Sequence, residues 1–278
     1  MVKLLNGTEL VGYIKERQAR QVRALRQAWK VFPKLAIVKS TQTSQVIDVY
    51  VRMKQRYGDD ILIETVIETV TEDDMPAVIK RLNADDSVHG IIVQLPLADS
   101  SRTDEIVNLV APEKDVDGLG AQAVYDSATA EAICWLLVGY GVDLKTKKIA
   151  IVGNGRLVGA PLAKIWATSH YDVAVLDRSH EDIASVLRQS DIVVSATGVP
   201  RLITSAMIKP GAVVVDAGTA SENGAIIGDV DIAVRARDDI KITPERGGVG
   251  PLTIAALYDH VIRSAQRVAN EKQAAEEA

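Results

Sequence analysis

Tyr50 and Lys54 stand four residues apart, and this spacing could bring two chemically useful side chains together. They lie in SQVIDVYVRMKQRYG, whose apolar pattern predicts a helix that ends at Gly58, where a positive φ is easily placed. Two residues four apart in a helix share one face. That face is either part of a site or an ordinary solvated surface, with the lysine stem over the tyrosine ring.

Two further polar residues in the first half of the chain stand close to turn-forming residues. Gln94 comes directly after HGIIV and two residues before Pro96, where a buried amide is costly without a hydrogen-bond partner. Asp117 follows Asp115 and precedes Gly118, so a turn could direct one of the two acids into a site. The structural alternatives are a capped strand end for Gln94 and an Asx-turn for Asp117.

A glycine-rich turn, GNGRLVG, lies between the strand pattern KIAIV and the helix pattern APLAKIWA. Glycines there permit a tight turn and let the backbone approach a pyrophosphate, whose charge a helix N-terminus favours. The last glycine stands one residue later than in the common G-x-G-x-x-G spacing. The residues predicted to bind a nucleotide are Gly153, Asn154, Gly155, Val158 and Gly159, with Thr197 and Gly198 at the end of DIVVSATG.

The kind of nucleotide depends on the end of the next strand, YDVAVLD. Asp177 stands there, 24 residues after Gly153, where an acid can accept hydrogen bonds from an adenosine ribose and favour NAD. Arg178 beside it could pair with a 2′-phosphate, so NADP stays open. Asp177 could instead be an N-cap or turn residue before RSHEDIASVL.

Strand and helix patterns alternate along the chain in two series. The first series has the strands PKLAIVKS, ILIETVIET and VHGIIVQLPL, and the second has KKIAIV, YDVAVLD, DIVVSATG, AVVVDAG and IKIT. Repeated βαβ units of this length predict parallel sheets. We therefore predict an α/β fold with two α/β domains flanking a cleft, the second a Rossmann-type nucleotide-binding domain.

The domain boundaries are expected near the helix pattern TAEAICWLLVGYG, which joins the two series. We assign residues 1–125 to an N-terminal α/β domain that the C-terminal helix at 251–278 completes. Residues 126–250 are assigned to the nucleotide-binding domain. Ligands of open α/β sheets bind at the carboxyl ends of the strands.

Composition restricts the classes of partner and site. The net charge of −5 argues against nucleic acid as the main partner. A single cysteine, Cys134, excludes an internal disulfide and a cysteine-cluster metal site, and the four histidines are scattered, so no metal is expected. The N-terminal segment lacks the apolar core of a signal peptide, and no run of about 18 apolar residues exists. We expect a cytoplasmic protein without a membrane span.

Several motifs in order carry a family resemblance: IIVQLPLAD, PEKDVDGL, the glycine-rich turn, KPGAVVVDAG, GDVD and GGVGPLT. With this combination, the chain resembles the bifunctional methylenetetrahydrofolate dehydrogenase/methenyltetrahydrofolate cyclohydrolase family from about residue 5 to residue 265. The resemblance implies that Lys54 is the central catalytic residue, with Tyr50 stacked on the folate rings and Gln94 orienting the lysine. It also implies that Asp117 anchors the pterin. Gly248 and Pro251, in GGVGP, are implied to bind the substrate.

The implied activity is oxidation of 5,10-methylenetetrahydrofolate to the methenyl compound with NAD or NADP, NAD being favoured. Hydrolysis to 10-formyltetrahydrofolate would follow. For this step a neutral Lys54 amine would activate water or accept a proton, which requires a pKa lowered by burial or by a cationic neighbour. The resemblance also implies a homodimer formed through the nucleotide domain.

The chain departs from the usual family pattern in both halves. SATA stands where PCTP is usual, GNG replaces GRS, TPERGGVGP replaces TPVPGGVGP, and three extra residues precede Tyr50. These departures leave two alternatives open: a catalytically impaired folate- and nucleotide-binding paralogue, and a different two-domain NAD-dependent dehydrogenase. The presence of Lys54 and Gln94 argues against a pure binding protein.

Overall fold

The computed structural model describes residues 4–43, 45–222 and 225–277, and the chain divides into two compact units. The first, here called the three-stranded unit, consists of Gly12–Ala128 and Ile254–Ala278. The second, the five-stranded unit, consists of Met1–Val11 and Thr129–Thr253. The predicted α/β class, with parallel sheets in both halves, is confirmed.

The unit boundaries after residues 128 and 253 lie three residues beyond those suggested by the sequence, 125 and 250. The opening segment differs more, because residues 4–11 belong to the five-stranded unit rather than to the first domain. Two hydrogen bonds join this segment to the five-stranded unit: Leu5 N donates to Ile242 O at 2.9 Å, and Thr8 N donates to Gly247 O at 3.0 Å. No pattern within the opening segment reveals partners so distant in sequence.

The three-stranded unit is a small parallel sheet with strand order β2-β1-β3 and helices packed around it. Its elements are α1 (Gly7–Ala28), β1 (Lys34–Ser40), α2 (Gln45–Asp60), β2 (Glu64–Val70), α3 (Met75–Asn83), β3 (Gly90–Val93) and α4 (Thr103–Val107). Residues 35–38 of the central strand β1 are fully buried, as expected for a parallel strand covered on both faces. Val38 pairs with Val93, so the segments after β1 and β3 leave the same edge of the sheet.

Helix α2 continues to Asp60 and includes Gly58, so the prediction that the helix ends at Gly58 with a positive φ is wrong. Leu62 instead has the positive φ, at 66°. Gly58 is needed for packing, because an ideal Cβ there would lie 2.5 Å from Thr65 Oγ1 and 2.7 Å from Tyr258 Oη. The glycine therefore lets α2 approach its neighbours closely.

The five-stranded unit contains a parallel sheet with strand order β10-β7-β6-β4-β5. Its elements are α5 (Ala128–Gly139), β4 (Lys148–Val152), α6 (Gly159–Thr168), β5 (Asp172–Leu176), α7 (Ile183–Leu187), β6 (Ile192–Ser195), β7 (Val213–Asp216), β8 (Ala220–Glu222), β9 (Ala225–Ile227), α8 (Ile232–Arg235), β10 (Lys241–Ile242) and α9 (Val249–Glu277). The last helix, α9, continues into the three-stranded unit. The direction of winding reverses between β4 and β6, and ligands of such sheets bind at this switch point.

Each unit has its own apolar core. In the five-stranded unit the core includes Val152, Val193 and Val214 from neighbouring strands, together with Leu187 of α7. In the three-stranded unit one core cluster lies between the sheet and helices α3 and α4. Within the described ranges, no helix is both long and apolar enough to cross a membrane.

Candidate functional site

Helix α2 places Lys54 on its buried face. Ile47 and Val51, seven and three residues earlier, are 7% and 4% exposed, and Lys54 itself is only 9% exposed. Tyr50, one turn before Lys54, is half-buried. The alternative of a solvated face therefore does not hold for Lys54, whose amine lies inside the protein.

Gln94 is the hydrogen-bond partner of the buried lysine. Lys54 Nζ donates to Gln94 Oε1 at 2.8 Å, and Gln94 Nε2 donates to the carbonyl of Leu95 at 3.0 Å. The second bond sets the orientation of the amide, because the reversed amide would point its NH₂ at the amine and its oxygen at a carbonyl. Gln94 follows β3 directly, so the lysine is held at the carboxyl edge of the sheet.

Helix α9 supports the backbone under Lys54. Tyr258 Oη donates to the carbonyl oxygen of Lys54 at 2.8 Å and accepts from Thr65 Oγ1 at 2.6 Å. The Tyr258 ring also stacks on Tyr57, with centroids 5.3 Å apart. Tyr258 is fully buried. Sequence reasoning missed this residue, whose only signal is a tyrosine within an apolar helix pattern.

Burial and one nearby charge shift the pKa of the lysine in opposite directions. Burial lowers the pKa of Lys54 below its ordinary value, and the Asp117 carboxylate partly opposes this effect. Burial raises the pKa of Asp117, which Lys54 and His260 oppose. Burial thus shifts the amine toward its neutral form, and an acid lies close enough to affect its charge.

The two acids of KDVDG have different roles. Asp115 is buried, and its Oδ1 and Oδ2 accept hydrogen bonds from Gly118 N at 3.1 Å and Gly120 N at 2.7 Å. Asp115 is therefore the turn-forming acid. Asp117 is partly exposed, and its carboxylate accepts no hydrogen bond from the described residues. Asp117 is the acid left free to bind a ligand.

A buried histidine holds the backbone next to Asp117. His260 Nδ1 lies 2.8 Å from the carbonyl oxygen of Val116, and since a carbonyl oxygen only accepts, Nδ1 carries the proton. The ring of Tyr125 stacks on His260 at 4.7 Å, and the Arg263 guanidinium lies 5.3 Å from the centre of that ring. Sequence reasoning missed this layer too, because its members lie far apart in the chain.

The glycine-rich turn in the five-stranded unit needs two of its glycines for steric reasons. Gly153 has a φ of +102°, and an ideal Cβ there would lie 2.5 Å from the carbonyl oxygen of Ala196. At Gly159, the first residue of α6, an ideal Cβ would lie 1.8 Å from Gly153 O. These contacts bring the start of α6 directly over the end of β4.

A cavity of about 290 Å³ lies at this switch point. Residues 155–158, 196–198 and 217–219 line it, so that the segments after β4, β6 and β7 all contribute. Of the predicted nucleotide residues, Gly155, Val158, Thr197 and Gly198 line the cavity. Gly153 and Gly159 shape the turn, and Asn154 is exposed.

Asp177 and Arg178 follow β5 and are both exposed. Asp177 Oδ1 accepts from Ser179 N at 2.9 Å and Ser179 Oγ at 2.6 Å, and His180 Nδ1 lies 3.3 Å away. The Ser179 bonds lower the pKa of Asp177. Asp177 therefore forms a turn at the end of β5, in agreement with the second of the two interpretations of this residue. Its Oδ2 accepts nothing from the described part of the chain and can still receive a hydrogen bond.

The remaining predicted substrate residues, Gly248 and Pro251, lie within the five-stranded unit. Gly248 is buried, and an ideal Cβ on Gly7 would lie 1.9 Å from its carbonyl oxygen. Pro251 lies in the first turn of α9. Tyr50, Lys54, Gln94 and Asp117 all belong to the three-stranded unit.

A second cavity, of about 830 Å³, lies in the three-stranded unit and is lined in part by Lys30, His89, Lys114 and Lys272. Its walls include residues 87–89, just before β3, whereas Gln94 follows β3. The cavity is thus at the amino edge of the sheet, opposite the lysine, and none of the predicted site residues lines it. In the described ranges, no group of three or more His, Cys, Asp or Glu could hold a metal ion.

Comparison with known protein families identifies both halves of the chain. Residues 5–117 match the tetrahydrofolate dehydrogenase/cyclohydrolase catalytic domain, and residues 127–269 match the NAD(P)-binding domain of the same family. The chain belongs to the tetrahydrofolate dehydrogenase/cyclohydrolase family. The resemblance suggested by the sequence motifs is therefore confirmed.

Individual relatives match this family member over nearly its full length. The bifunctional protein FolD of Bordetella avium is 36% identical over 279 residues, covering 95% of this chain and 98% of the relative. The FolD crystal structure from Campylobacter jejuni has a TM-score of 0.89 at 32% identity, covering 96% and 99% of the two chains. A Trypanosoma brucei FolD structure, complexed with NADP and an inhibitor, has a TM-score of 0.89 at 29% identity, covering 96% and 98%.

Proposed function

We propose that this protein oxidises 5,10-methylenetetrahydrofolate to 5,10-methenyltetrahydrofolate with NAD(P) and hydrolyses the product to 10-formyltetrahydrofolate. The observation that carries the proposal is the Lys54 amine, buried within an apolar helix face and hydrogen-bonded to Gln94 at 2.8 Å. A lysine that forms only a surface contact needs neither burial nor a partner held in one orientation. Membership of the family supplies the class of reaction.

Lys54 would act as the proton-transfer group of the hydrolytic step. In its neutral form the amine can take a proton from an attacking water, and burial shifts its pKa toward that form. Gln94 fixes the position of the amine through its oriented amide. Tyr50, half-buried on the same helix, would stack against the folate rings.

Asp117 would anchor the pterin by accepting hydrogen bonds from its amino and ring N–H groups. Charge-assisted bonds of this kind are about twice as strong as neutral ones. Asp117 is suited to the task because Asp115, and not Asp117, accepts the backbone hydrogen bonds of the turn. Gly248 and Pro251 complete the set of residues proposed to bind the substrate.

The nucleotide, when bound, supplies the hydride acceptor. The glycine turn would hold its pyrophosphate through backbone N–H groups at the start of α6, since Gly153 and Gly159 leave no side chain in the way. Val158, Thr197 and Gly198 line the adjoining cavity. Asn154 and Gly155 belong to the same turn.

We infer that NAD is preferred over NADP. Asp177 Oδ2 is open to a ribose hydroxyl, and the carboxylate would repel a 2′-phosphate, although Arg178 beside it favours the phosphate. The ratio of kcat/KM for the two nucleotides tests the preference, and Asp177→Ser should move it toward NADP. A wild-type ratio in favour of NADP would contradict this preference.

We also infer a homodimer, which light scattering would detect as twice the chain mass.

Absorbance of the methenyl product, recorded with NAD and with NADP, tests the proposed function directly. Hydrolysis of added methenyltetrahydrofolate, measured without nucleotide, tests the second step by itself. Folate binding without turnover would instead support the impaired paralogue. Turnover of a small hydroxy or amino acid, with no folate binding, would support the other dehydrogenase.

A further inference from the structure

A fully buried carboxylate lies behind the nucleotide cavity. Asp229, in the GDVD motif, is 0% exposed, and its Oδ2 accepts from Thr197 N at 2.6 Å and from Ser195 Oγ at 2.8 Å. Thr197 lines the cavity and follows β6. We propose that Asp229 is a positioning residue that holds the Thr197–Gly198 segment in the conformation required for nucleotide binding. This inference deepens the proposed function and rests on it.

The second oxygen of Asp229 shows how closely the cavity wall is packed. Among the described residues, Asp229 Oδ1 is buried without a hydrogen-bond partner. An ideal Cβ on Gly218 would lie 2.1 Å from it, and Gly218 also lines the cavity. Burying a carboxylate with an unpaired oxygen costs free energy. One carboxylate thus lies against two cavity-lining residues, Thr197 and Gly218. The folded protein tolerates the free-energy cost of burying it.

A second carboxylate, that of Asp216, binds the backbone at Asp229 and fixes its position. Asp216, at the end of β7, accepts from Asp229 N and Gly218 N at 3.0 Å each, and from Val230 N at 3.1 Å. Arg235 Nη2 donates to Asp216 Oδ2. The same guanidinium bonds the carbonyl oxygen of Thr243 at 2.5 Å, which ties the network to the end of β10.

The hydrogen bonds of Asp229 reach the cavity wall as well as the core of the unit. The shortest bond of Asp229 goes to a backbone N–H of a cavity-lining residue. Losing a hydrogen bond to a charged group should weaken the positioning of that segment, and we expect nucleotide affinity to fall about 10- to 100-fold. Among the described contacts of Asp229, none involves a residue proposed to bind the folate, so the KM for folate should change little.

The test compares Asp229→Ala and Asp229→Asn with a control from the same motif, Asp231→Ala. Asp231 caps α8 by accepting from Ala233 N and makes no described contact with a cavity-lining residue. The measurements are the Kd of NAD and NADP by calorimetry, the KM for nucleotide and for folate, kcat at saturating nucleotide, and the melting temperature.

The inference expects the Kd and KM for nucleotide to rise most in Asp229→Ala, while kcat at saturation and the KM for folate change far less. Asp229→Asn should lie between wild type and alanine, because its amide oxygen can still accept from Thr197 N but without the charge. Asp231→Ala should lower the melting temperature and leave the Kd at the wild-type value. If alanine does not fold, the asparagine variant decides the question by the same comparison.

Wild-type Kd values in Asp229→Ala and Asp229→Asn would overturn the inference while leaving the proposed function intact. Equal losses of nucleotide affinity, folate affinity and melting temperature would also overturn it, since they indicate a purely structural residue. If the wild type binds neither nucleotide, the proposed function fails and takes the inference with it.

Discussion

At the scale of single residues, the proposed chemistry depends on the proton of one lysine. Lys54 lies among apolar residues on α2, where its charged form is poorly solvated, and Asp117 is the acid that partly compensates. Among the described residues, neither one has an ion-pair partner within 4 Å. The amine and the acid can be tested separately, because we propose proton transfer for the one and substrate binding for the other.

Lys54→Met should abolish hydrolysis of methenyltetrahydrofolate while leaving the fold and nucleotide affinity intact. Removing a positioned acid–base group typically costs about 10²- to 10⁴-fold in rate, and methionine fills a similar apolar volume. Exposed Lys80 on α3 provides the matched control as Lys80→Met. Hydrolysis by the Lys54 variant at the wild-type rate, above the spontaneous reaction, would exclude the assigned role.

The pH dependence of hydrolysis should report the same amine. The neutral form is the active one, so the rate should rise with pH through the pKa of Lys54. Because burial lowers this pKa, the midpoint should lie below the ordinary lysine value of about 10.4. Asp117 raises the pKa of Lys54, so Asp117→Asn should move the midpoint of kcat to lower pH. A midpoint that does not respond to this substitution would contradict the proposed coupling.

Asp117→Ala should weaken folate binding far more than nucleotide binding. Asp117→Asn should fail almost as badly, since it turns one acceptor into a donor toward the pterin N–H groups. A turn-forming acid predicts the opposite, because asparagine serves in Asx-turns as well as aspartate does. Calorimetry with folate and nucleotide separates the two cases, and wild-type folate affinity in the asparagine variant would show that the pocket is misplaced.

At the scale of elements, the position of α2 relative to β2 and α9 decides where the lysine points. Gly58 permits the close approach of these three elements, and Tyr258 of α9 bonds the backbone of Lys54 itself. A displacement of α2 would therefore move Lys54 relative to Gln94, which is held by β3. The geometry of the site is sensitive to packing some distance from the amine.

Gly58→Ala should destabilise the protein by about 1–3 kcal/mol, the usual cost of overpacking, and should also slow hydrolysis. The added methyl group would meet Thr65 Oγ1, Tyr258 Oη and the carbonyl oxygen of Ile63, all within 2.8 Å. Gly12→Ala in α1 is the matched control, because no atom lies within 4 Å of an ideal Cβ there. That control should stabilise by roughly 0.5–1 kcal/mol. Denaturant melts measure both, and equal effects would contradict the packing argument.

At the scale of the whole molecule, the chain contains two parallel sheets, and the candidate site of each sheet lies at the carboxyl ends of its strands. In the three-stranded unit Gln94 follows β3, and in the five-stranded unit the turn at Gly153 follows β4. Both lie at the carboxyl edge of a parallel sheet, where loops can present polar groups without interrupting strand pairing. The two matched family domains, residues 5–117 and 127–269, correspond to these two sites.

Local patterns were sufficient to predict much of this protein. Strands β1, β3, β4, β6 and β7 contain continuous apolar runs, the glycine turn has its own spacing, and Tyr50 and Lys54 are neighbours on a helix. Each feature is therefore contained within a few residues of sequence. The order of the motifs identified the family. Periodicity and spacing are properties of short segments, which is why these predictions were correct.

The tertiary structure alone decided which of those residues are buried, paired or free. Lys54 is 9% exposed, its amine bonds Gln94 after β3, and its carbonyl oxygen bonds Tyr258 of α9. Asp115 rather than Asp117 closes the turn, because the N–H groups of Gly118 and Gly120 point at Asp115. The support from Tyr258 and the hold of Asp229 on Thr197 join residues 204 and 32 positions apart. Such contacts form only when distant segments pack together, and no local pattern encodes them.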